Sequence, residues 1–228
     1  ARPDAPKAVT RHAVDGADGK IAYTATAATI AVRLKDADAE GDMFYVAYDA
    51  DRQNPAEKRP LTFVVNGGPG AAAAYLHILA FGPRIARLNG NGTIPAPPVA
   101  MEDNPLTWLA FTDLVFIDPV GTGYSRSTKS DGDAKTFWQL DKDLESLVEF
   151  IRLYLTCEKR WESPAFIAGE SYGGFRTASL PGLLASDIGL RLNGLVLISP
   201  VLEFSFLDFD TYQPMPWALI LPSYAASA

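Results

Sequence analysis

The chain has 228 residues, of which 48% are hydrophobic and 21% charged, so one globular α/β domain with a sizeable core can absorb all of it. Its net charge of −7 and its lack of a basic stripe argue against a nucleic-acid partner, and no apolar run approaches the length of a membrane span. Cys157 is the only cysteine, so no intrachain disulfide is possible. The first residue is Ala1, and we expect a secreted or periplasmic protein whose signal peptide has been removed.

The amino-terminal segment is predicted to be β structure after a loose lead-in. Residues 1–19 are polar and contain turn glycines, which indicates the lead-in. Residues 21–34 are rich in Thr, Val, Ile and Tyr without a helical period, which predicts one or two strands, and residues 43–48 predict another. The turn residues at 36–42 favour a hairpin between them.

A short apolar strand predicted over residues 61–65 ends in a glycine-rich loop. Residues 66–70 read Asn-Gly-Gly-Pro-Gly, and three glycines in five residues let backbone amides approach a bound group. The helix predicted over residues 71–79 begins beside this loop, and a helix N-terminus suits an oxyanion or a carboxylate. Taken alone, the segment also fits a plain strand-to-helix turn.

The middle of the chain predicts a further strand and a packing helix. The strand at residues 114–117 ends at Gly121-x-Gly123, but the third glycine and the following helix of a dinucleotide site are absent. Apolar residues fall on one face of the helix predicted over residues 137–155, and its charges are interpreted as a solvated face. No metal cluster, phosphate loop or flavin signal is found, so no cofactor is expected.

The most informative motif lies between a predicted strand at residues 165–168 and a predicted helix at 175–184. Residues 169–173 read Gly-Glu-Ser-Tyr-Gly, which fits the G-x-S-x-G pattern of a strained turn that lifts a serine above a sheet. Ser171 would stand at a helix N-terminus, where backbone N–H groups favour developing negative charge. A chance Gly/Ser turn is the alternative. With another strand at 194–199, the order of elements predicts a mostly parallel sheet with helices on both faces.

Three segments in order, residues 63–70, 113–125 and 169–173, together resemble the serine carboxypeptidase family (peptidase family S10), especially its bacterial members. The resemblance extends from about residue 43 to the end and covers the N-terminal portion of the family pattern only. It implies an α/β-hydrolase fold, here a single domain over residues 1–228. This domain would be truncated before the last core strands and inside the cap insertion, which would begin at about residue 201.

The resemblance also implies roles for matched residues. Ser171 would be the nucleophile of a serine-type carboxypeptidase, which releases C-terminal residues from a peptide substrate through an acyl-enzyme. The amides of Gly68 and Tyr172 would form the oxyanion hole, in agreement with the usual arrangement. Asn66 and Glu170 would bind the substrate's C-terminal carboxylate. Because two bare carboxylates repel, Glu170 would share or carry a proton, which favours acidic pH.

The family's triad acid and base are not expected within these residues. His12 and His77 both precede Ser171, whereas the base of an α/β-hydrolase follows its nucleophile. Asp208 and Asp210 follow Ser171 but would lie in the cap insertion. The Asp and His would come from beyond residue 228 or from a second chain, and the 228 residues alone are expected to be inactive.

Two departures from the family pattern bear on the reaction. Residues 77–81 carry no acid where family members often have a second glutamate, and residues 71–73 are Ala-Ala-Ala rather than Cys-Ser-Ser. Alternative functions are an esterase or acyltransferase with the same machinery, or a non-catalytic fragment or binding module that keeps the fold.

Overall fold

The computed structural model describes residues 7–35, 38–52, 54, 58–128, 134–210 and 212–228. Two sheets are present among them, one large and one of two short strands. The strands are β1 (Lys7–Gly16), β2 (Gly19–Arg33), β3 (Glu40–Ala50), β4 (Leu61–Val65), β5 (Arg84–Ala86), β6 (Met101–Asp103), β7 (Asp113–Ile117), β8 (Arg126–Ser127), β9 (Ala165–Glu170) and β10 (Gly194–Ile198). The large sheet has the order β1-β2-β3-β7-β4-β9-β10, with β8 paired to β3, and β5 pairs with β6.

The amino-terminal strands form an antiparallel meander. Strand β2 pairs with β3 from Tyr23–Ala50 to Arg33–Glu40, which confirms the predicted hairpin. The loose lead-in predicted for residues 1–19 is wrong from Lys7 onward, because β1 pairs with β2 along its whole length and Gly16 faces Gly19. Nearly every residue of β1 is exposed, so backbone pairing holds this strand without an apolar face in its sequence. Residues 1–6 lie outside the described residues.

The second half of the sheet is parallel. Strand β4 lies between β7 and β9, β10 lies beside β9, and these pairs are parallel. Every residue of β4 and β7 is buried, as expected for strands covered on both faces. Because parallel strands end at the same edge, the loops after β4, β7 and β9 meet there, and these are the three segments that the sequence motifs occupy.

Helices cover both faces of this sheet. They are α1 (Ala74–Leu76), which continues as a π-helical turn over His77–Phe81, then α2 (Leu140–Cys157), α3 (Tyr172–Ile188) and α4 (Pro214–Ser227). The 3-10 turns are Trp108–Ala110, Lys135–Trp138 and Phe204–Leu207. Helices α2 and α3 contribute to one buried cluster, and the α1 segment contributes to a second on the opposite face. The layered α/β architecture is therefore as predicted, although the first helix is shorter and partly π-helical.

The carboxyl-terminal elements expose apolar surface. Strand β10 has no described neighbour on its outer side, and its Leu195, Val196 and Leu197 are 36–40% exposed. Helix α4 likewise leaves Trp217 and Leu221 exposed. A search of the described residues finds no helix with the length and hydropathy needed to cross a membrane.

Candidate active site

Ser171 occupies a strained turn between β9 and α3. Its φ of 58° and ψ of −120° are costly for a residue with a side chain, by about 1–3 kcal/mol. The surrounding backbone holds this conformation. The amide of Ser171 donates to the carbonyl of Ile198 (3.0 Å), and its own carbonyl accepts from the amides of Gly174 (2.9 Å) and Val201 (3.1 Å). The end of β10 and the residues after it therefore fix the turn.

Glycines on both sides of Ser171 permit this turn to close. A Cβ on Gly169 would collide with the carbonyl of Gly173, and a Cβ on Gly173 would collide with the carbonyl of Val65 at the end of β4. These neighbours are backbone atoms that cannot swing away as side chains do. The G-x-S-x-G spacing is therefore a packing requirement of this site.

The glycine loop after β4 lies directly against the serine turn. A Cβ built on Gly67 would be 2.7 Å from both the Cβ of Ser171 and the amide nitrogen of Tyr172. Gly68 follows with a φ of 109°, which favours glycine, and its peptide bond to Pro69 is cis. This approach brings the backbone that carries the Gly68 amide beside the amide of Tyr172.

Asn66 and Glu170 form a polar pair next to the serine. The Nδ2 of Asn66 donates to Oε2 of Glu170 at 3.3 Å, and its Oδ1 accepts from the amide of Leu76 at 3.0 Å. Asn66 is buried and Glu170 is half-buried. Both face an open cavity of about 420 Å³, which is lined by Asn66, Gly67, Gly68, Ala71, Tyr75, Leu76, Leu79, Glu170 and Ser171.

A buried ion pair behind the loop was not predicted from the sequence. The Nε and Nη2 of Arg176 donate to the two carboxylate oxygens of Asp143 at 2.7 and 3.0 Å, and Nη1 donates to the carbonyl of Asn66 at 2.9 Å. The guanidinium also lies 4.9 Å from the centre of the Tyr172 ring. Arg176 thus contacts both segments beside Ser171. Its i,i+4 spacing from Tyr172 could have indicated the contact with that ring, but not the ion pair with Asp143 on another helix.

Asp118 joins the glycine loop to the loop after β7. Its carboxylate accepts from the amide of Ala73 (2.9 Å) and from that of Tyr124 (3.3 Å). Burial raises the pKa of Asp118, while the two amide donors oppose that shift. A Cβ on Gly123 would collide with this carboxylate, so the second glycine of the Gly121-x-Gly123 pattern makes room for a structural acid.

The two histidines lie away from the serine. The Nε2 of His77 is 2.6 Å from the hydroxyl of Tyr48, and its ring stacks on Phe116 at 4.4 Å. Burial lowers the pKa of His77 to about 4, so it is neutral at physiological pH. His12 is exposed on β1, 2.8 Å from the hydroxyl of Thr10.

The candidate acids after the serine are also elsewhere. Asp208 and Asp210 are both exposed, and among described residues no histidine or carboxylate hydrogen-bonds the Ser171 hydroxyl. Nor do the described residues hold a group of three His, Cys, Asp or Glu side chains that could bind a metal ion.

Known proteins resemble this chain over most of its length. A family model described as serine carboxypeptidase matches residues 32–203. Serine carboxypeptidase S10 family member 1 of Dictyostelium discoideum is 27% identical over 183 residues, which are 78% of this chain and 40% of that protein. The lysosomal protective protein of Mus musculus is 26% identical over 148 residues, 64% of this chain and 29% of that protein.

A third relative, the retinoid-inducible serine carboxypeptidase of Rattus norvegicus, is 31% identical over 144 residues, 60% of this chain and 28% of that protein. The chain therefore spans 40% or less of the length of these three relatives.

Solved structures share the fold. Kex1(delta)p, a prohormone-processing carboxypeptidase from Saccharomyces cerevisiae, has a TM-score of 0.57 at 24% identity, over 87% of this chain and 43% of that one. The cell-wall-degrading esterase LipA from Xanthomonas oryzae has a TM-score of 0.50 at 12% identity, over 86% of this chain and 50% of that one. At these identities the likeness concerns the fold alone.

Proposed function

The chain belongs to the serine carboxypeptidase family, and we propose that it carries the nucleophile, the oxyanion hole and the substrate-carboxylate site of a serine-type carboxypeptidase. Its lineage is that of a hydrolase, and the predicted α/β-hydrolase fold is confirmed. The observation that carries the proposal is the strained turn at Ser171 with the backbone of Gly67 packed against it.

In the proposed reaction, Ser171 Oγ attacks the carbonyl carbon of the last peptide bond and gives its proton to the triad base, which then serves as the general acid. The amides of Gly68 and Tyr172 stabilise the negative charge on the tetrahedral oxygen, and the C-terminal amino acid leaves with a proton from the general acid. The remaining peptide forms an ester on Ser171, which water hydrolyses to restore the serine. The loop contact at Gly67 supports this assignment, because both donors belong to segments that meet beside the nucleophile.

The substrate class follows from the pair beside the serine. We assign Asn66 and Glu170 to the free carboxylate of the departing residue. The fixed amide of Asn66 is a ready donor, and a proton held by Glu170 would be shared with the substrate carboxylate. The apolar wall formed by Leu76 and Leu79 suits the side chain of the departing residue.

The triad acid and base would be supplied by residues other than those described. The described histidines serve other roles, and a serine without a base is a weak nucleophile. The exposed apolar surface of β10 fits a further strand of the same polypeptide or of a second chain, which would carry the Asp and His. Residues 201–228 would then begin a cap insertion above the site.

A location in an acidic or exported compartment accords with this chemistry. One curated relative is named lysosomal protective protein, from Mus musculus. We propose secretion or transfer into such a compartment for the present protein.

The test uses the complete protein, with every segment or chain that supplies the acid and base. We expect fluorophosphonate labelling of Ser171, and release of one residue from N-blocked dipeptides with a free carboxylate but not from the corresponding amides. Ser171→Ala should abolish both. Glu170→Gln should lower kcat/KM for dipeptides at acidic pH and leave hydrolysis of a simple ester unchanged, because only the dipeptide presents a carboxylate.

An esterase or acyltransferase is the second candidate. Residues 77–81 offer no acid to pair with Glu170, and the cavity wall there is Tyr75, Leu76 and Leu79 instead. Rapid ester hydrolysis without dipeptide cleavage would favour this candidate. Absence of labelling at Ser171 in the complete protein would favour a non-catalytic binding module.

A further inference from the structure

The chain contains four Asn-Gly steps, which are chemically identical in the sequence. They begin at Asn66, Asn89, Asn91 and Asn193. Such a step can lose ammonia without any enzyme, because the glycine carries no Cβ that would hinder the approach of its nitrogen to the asparagine side chain. The fold distinguishes one step from another through exposure and through the hydrogen bonds that hold each amide.

The reaction at an Asn-Gly step balances without any co-reactant except water. The backbone nitrogen of the glycine attacks Cγ of the asparagine, and the bond from Cγ to the side-chain nitrogen breaks. The backbone N–H proton passes through solvent to the leaving nitrogen, so ammonia departs and a five-membered succinimide ring remains. Water then opens the ring at either carbonyl, which gives aspartate or isoaspartate. The step therefore needs a free backbone N–H and a side chain that is free to turn toward it.

Two of the four steps are held by the large sheet and its loops. The side chain of Asn66 is buried, donates to Glu170 at 3.3 Å and accepts from the amide of Leu76 at 3.0 Å. The side-chain oxygen of Asn193 accepts from the amide of Ala165 at 3.0 Å, and the amide of Asn193 donates to the carbonyl of Ala165 at 2.7 Å. Strand β10 begins at the next residue. Neither side chain can turn toward the following nitrogen until these bonds break.

The other two steps share an exposed turn in the connection between β5 and β6. Residues 87–94 are all exposed. The amide of Asn89 donates to the carbonyl of Thr93 at 2.9 Å, and the amide of Gly92 donates to the carbonyl of Asn89 at 2.8 Å. In the described part of the chain, residues 89–93 hydrogen-bond only to one another. Bonds that are exposed to water and local to one turn open at little cost, so both steps are accessible to the reaction.

Within this turn the two candidate nitrogens differ. The amide of Gly92, which would attack Asn91, is already engaged by the carbonyl of Asn89. The side-chain oxygen of Asn91 also accepts from the amide and the hydroxyl of Thr93, at 3.2 and 2.7 Å. By contrast, the amide of Gly90 has no hydrogen-bond acceptor among the described residues, and the side chain of Asn89 makes one bond, to the Thr93 hydroxyl at 2.9 Å. Asn89 therefore combines an exposed position with an unengaged nitrogen.

We propose that Asn89 is a site of spontaneous covalent modification, where succinimide formation with Gly90 converts the residue to aspartate and isoaspartate. Both products add a negative charge to the turn, and isoaspartate routes the main chain through the side-chain Cβ. The inference does not depend on the proposed carboxypeptidase function. It also means that the fold protects Asn66, whose conversion would put a second carboxylate beside Glu170.

The experiment is peptide mapping by mass spectrometry after the folded complete protein has been incubated at mildly alkaline pH, which favours loss of the amide proton. The mass gain of an amide-to-acid change should appear first at Asn89. Because the turn bond of Gly92 must break first, we expect conversion at Asn91 to be about fivefold slower. Conversion at Asn66 and Asn193 should be slower than at Asn89 by about 100-fold or more, since both need local opening.

The same measurement in urea is the internal control. All four steps should then react at similar rates, because the folded environment that separates them is gone. Gly90→Ala should slow conversion at Asn89 by about tenfold, because the added Cβ hinders the attacking nitrogen. That Cβ meets nothing within 4 Å, so the variant should fold. Equal rates at the four steps of the folded protein, or faster conversion at Asn91 or Asn193 than at Asn89, would overturn the inference.

Discussion

At the scale of single residues, the site depends on glycine positions that leave no room for a side chain. Ser171 tolerates a positive φ because Ile198, Gly174 and Val201 hold its peptide groups, and Gly67 leaves room for the loop to touch it. The sequence could predict this part, because the glycine and serine spacings express local backbone geometry. The roles of these residues in catalysis stay predictions.

Gly67→Ala tests whether the glycine loop must pack directly against the serine turn. The new methyl would meet backbone atoms of Tyr172 and Glu170 at 2.7–2.8 Å, so the loop must withdraw from the serine. If the Gly68 amide thereby leaves the oxyanion hole, fluorophosphonate labelling of the complete protein should slow by about 100-fold. Gly182→Ala is the matched control, because a Cβ there meets nothing within 4 Å, and helix propensity should make it neutral or slightly stabilising. Equal labelling rates for both variants would contradict the prediction.

Arg176 and Asp143 show what residue patterns could not predict. The helical pattern predicts a solvated face for the charges of α2, but Asp143 is buried against Arg176 of α3. A helical period shows which residues share one face of one helix. It does not show which residue of a second helix they meet, so the pair required the structure.

Arg176→Met should therefore destabilise the protein strongly. It leaves the Asp143 carboxylate buried without its partner, which should lower the free energy of unfolding by about 3–5 kcal/mol in urea titrations. Arg152→Met is the control on α2, because its ion pair with Glu149 is partly exposed and should contribute about 1 kcal/mol or less. The double variant Arg176→Met with Asp143→Leu should recover part of the loss. A double variant as unstable as the sum of its single variants would contradict a coupled pair.

At the scale of elements, the buried strands were predictable and the exposed one was not. Strands β4 and β7 are continuous apolar runs because both faces are covered, and that pattern is visible in the sequence. Strand β1 is exposed and is held by backbone pairing to β2, so it needs no apolar face. Its sequence therefore resembles that of a loop. The Asn66–Glu170 pair follows from the parallel pairing of β4 with β9, which sets their ends side by side.

Strand β10 gives a prediction at this scale. No described part of the chain covers its outer edge or its Leu195, Val196 and Leu197, and exposed apolar strand edges promote association. Residues 1–228 alone should form concentration-dependent oligomers in sedimentation velocity, and Leu197→Lys should shift them toward monomer. Leu88→Lys, at an exposed leucine in a loop, should leave the oligomers unchanged. If residues 1–228 stayed monomeric at all concentrations, the edge of β10 would not mediate association.

At the scale of the whole molecule, acidity acts on folding through the buried His77. Burial lowers the pKa of His77 to about 4, below the ordinary value of 6.5 that the unfolded chain restores. The unfolded state therefore binds a proton first as the pH falls. The contribution of neutral, buried His77 to stability is complete above pH 6.5 and declines between pH 6.5 and about 4.

The size of this decline can be measured. A shift of this magnitude corresponds to a loss of about 3 kcal/mol in the free energy of unfolding by pH 4. His77→Gln should remove most of the decline in urea titrations between pH 7.5 and pH 4.5, since glutamine does not titrate. His12→Gln, at the exposed histidine, should keep the original pH dependence. If the free energy of unfolding of His77→Gln fell with pH as steeply as that of the unmodified protein, other groups would be responsible for the acid sensitivity.

The bonds that hold Ser171 also set an order of events during synthesis. Its amide donates to Ile198 and its carbonyl accepts from Val201, which the ribosome adds about thirty residues after the serine. The turn at Ser171 therefore lacks these hydrogen bonds until the later residues have left the ribosome and folded against it. Ser171 is thus translated before the residues that fix its conformation, and its turn takes shape only after synthesis has passed residue 201.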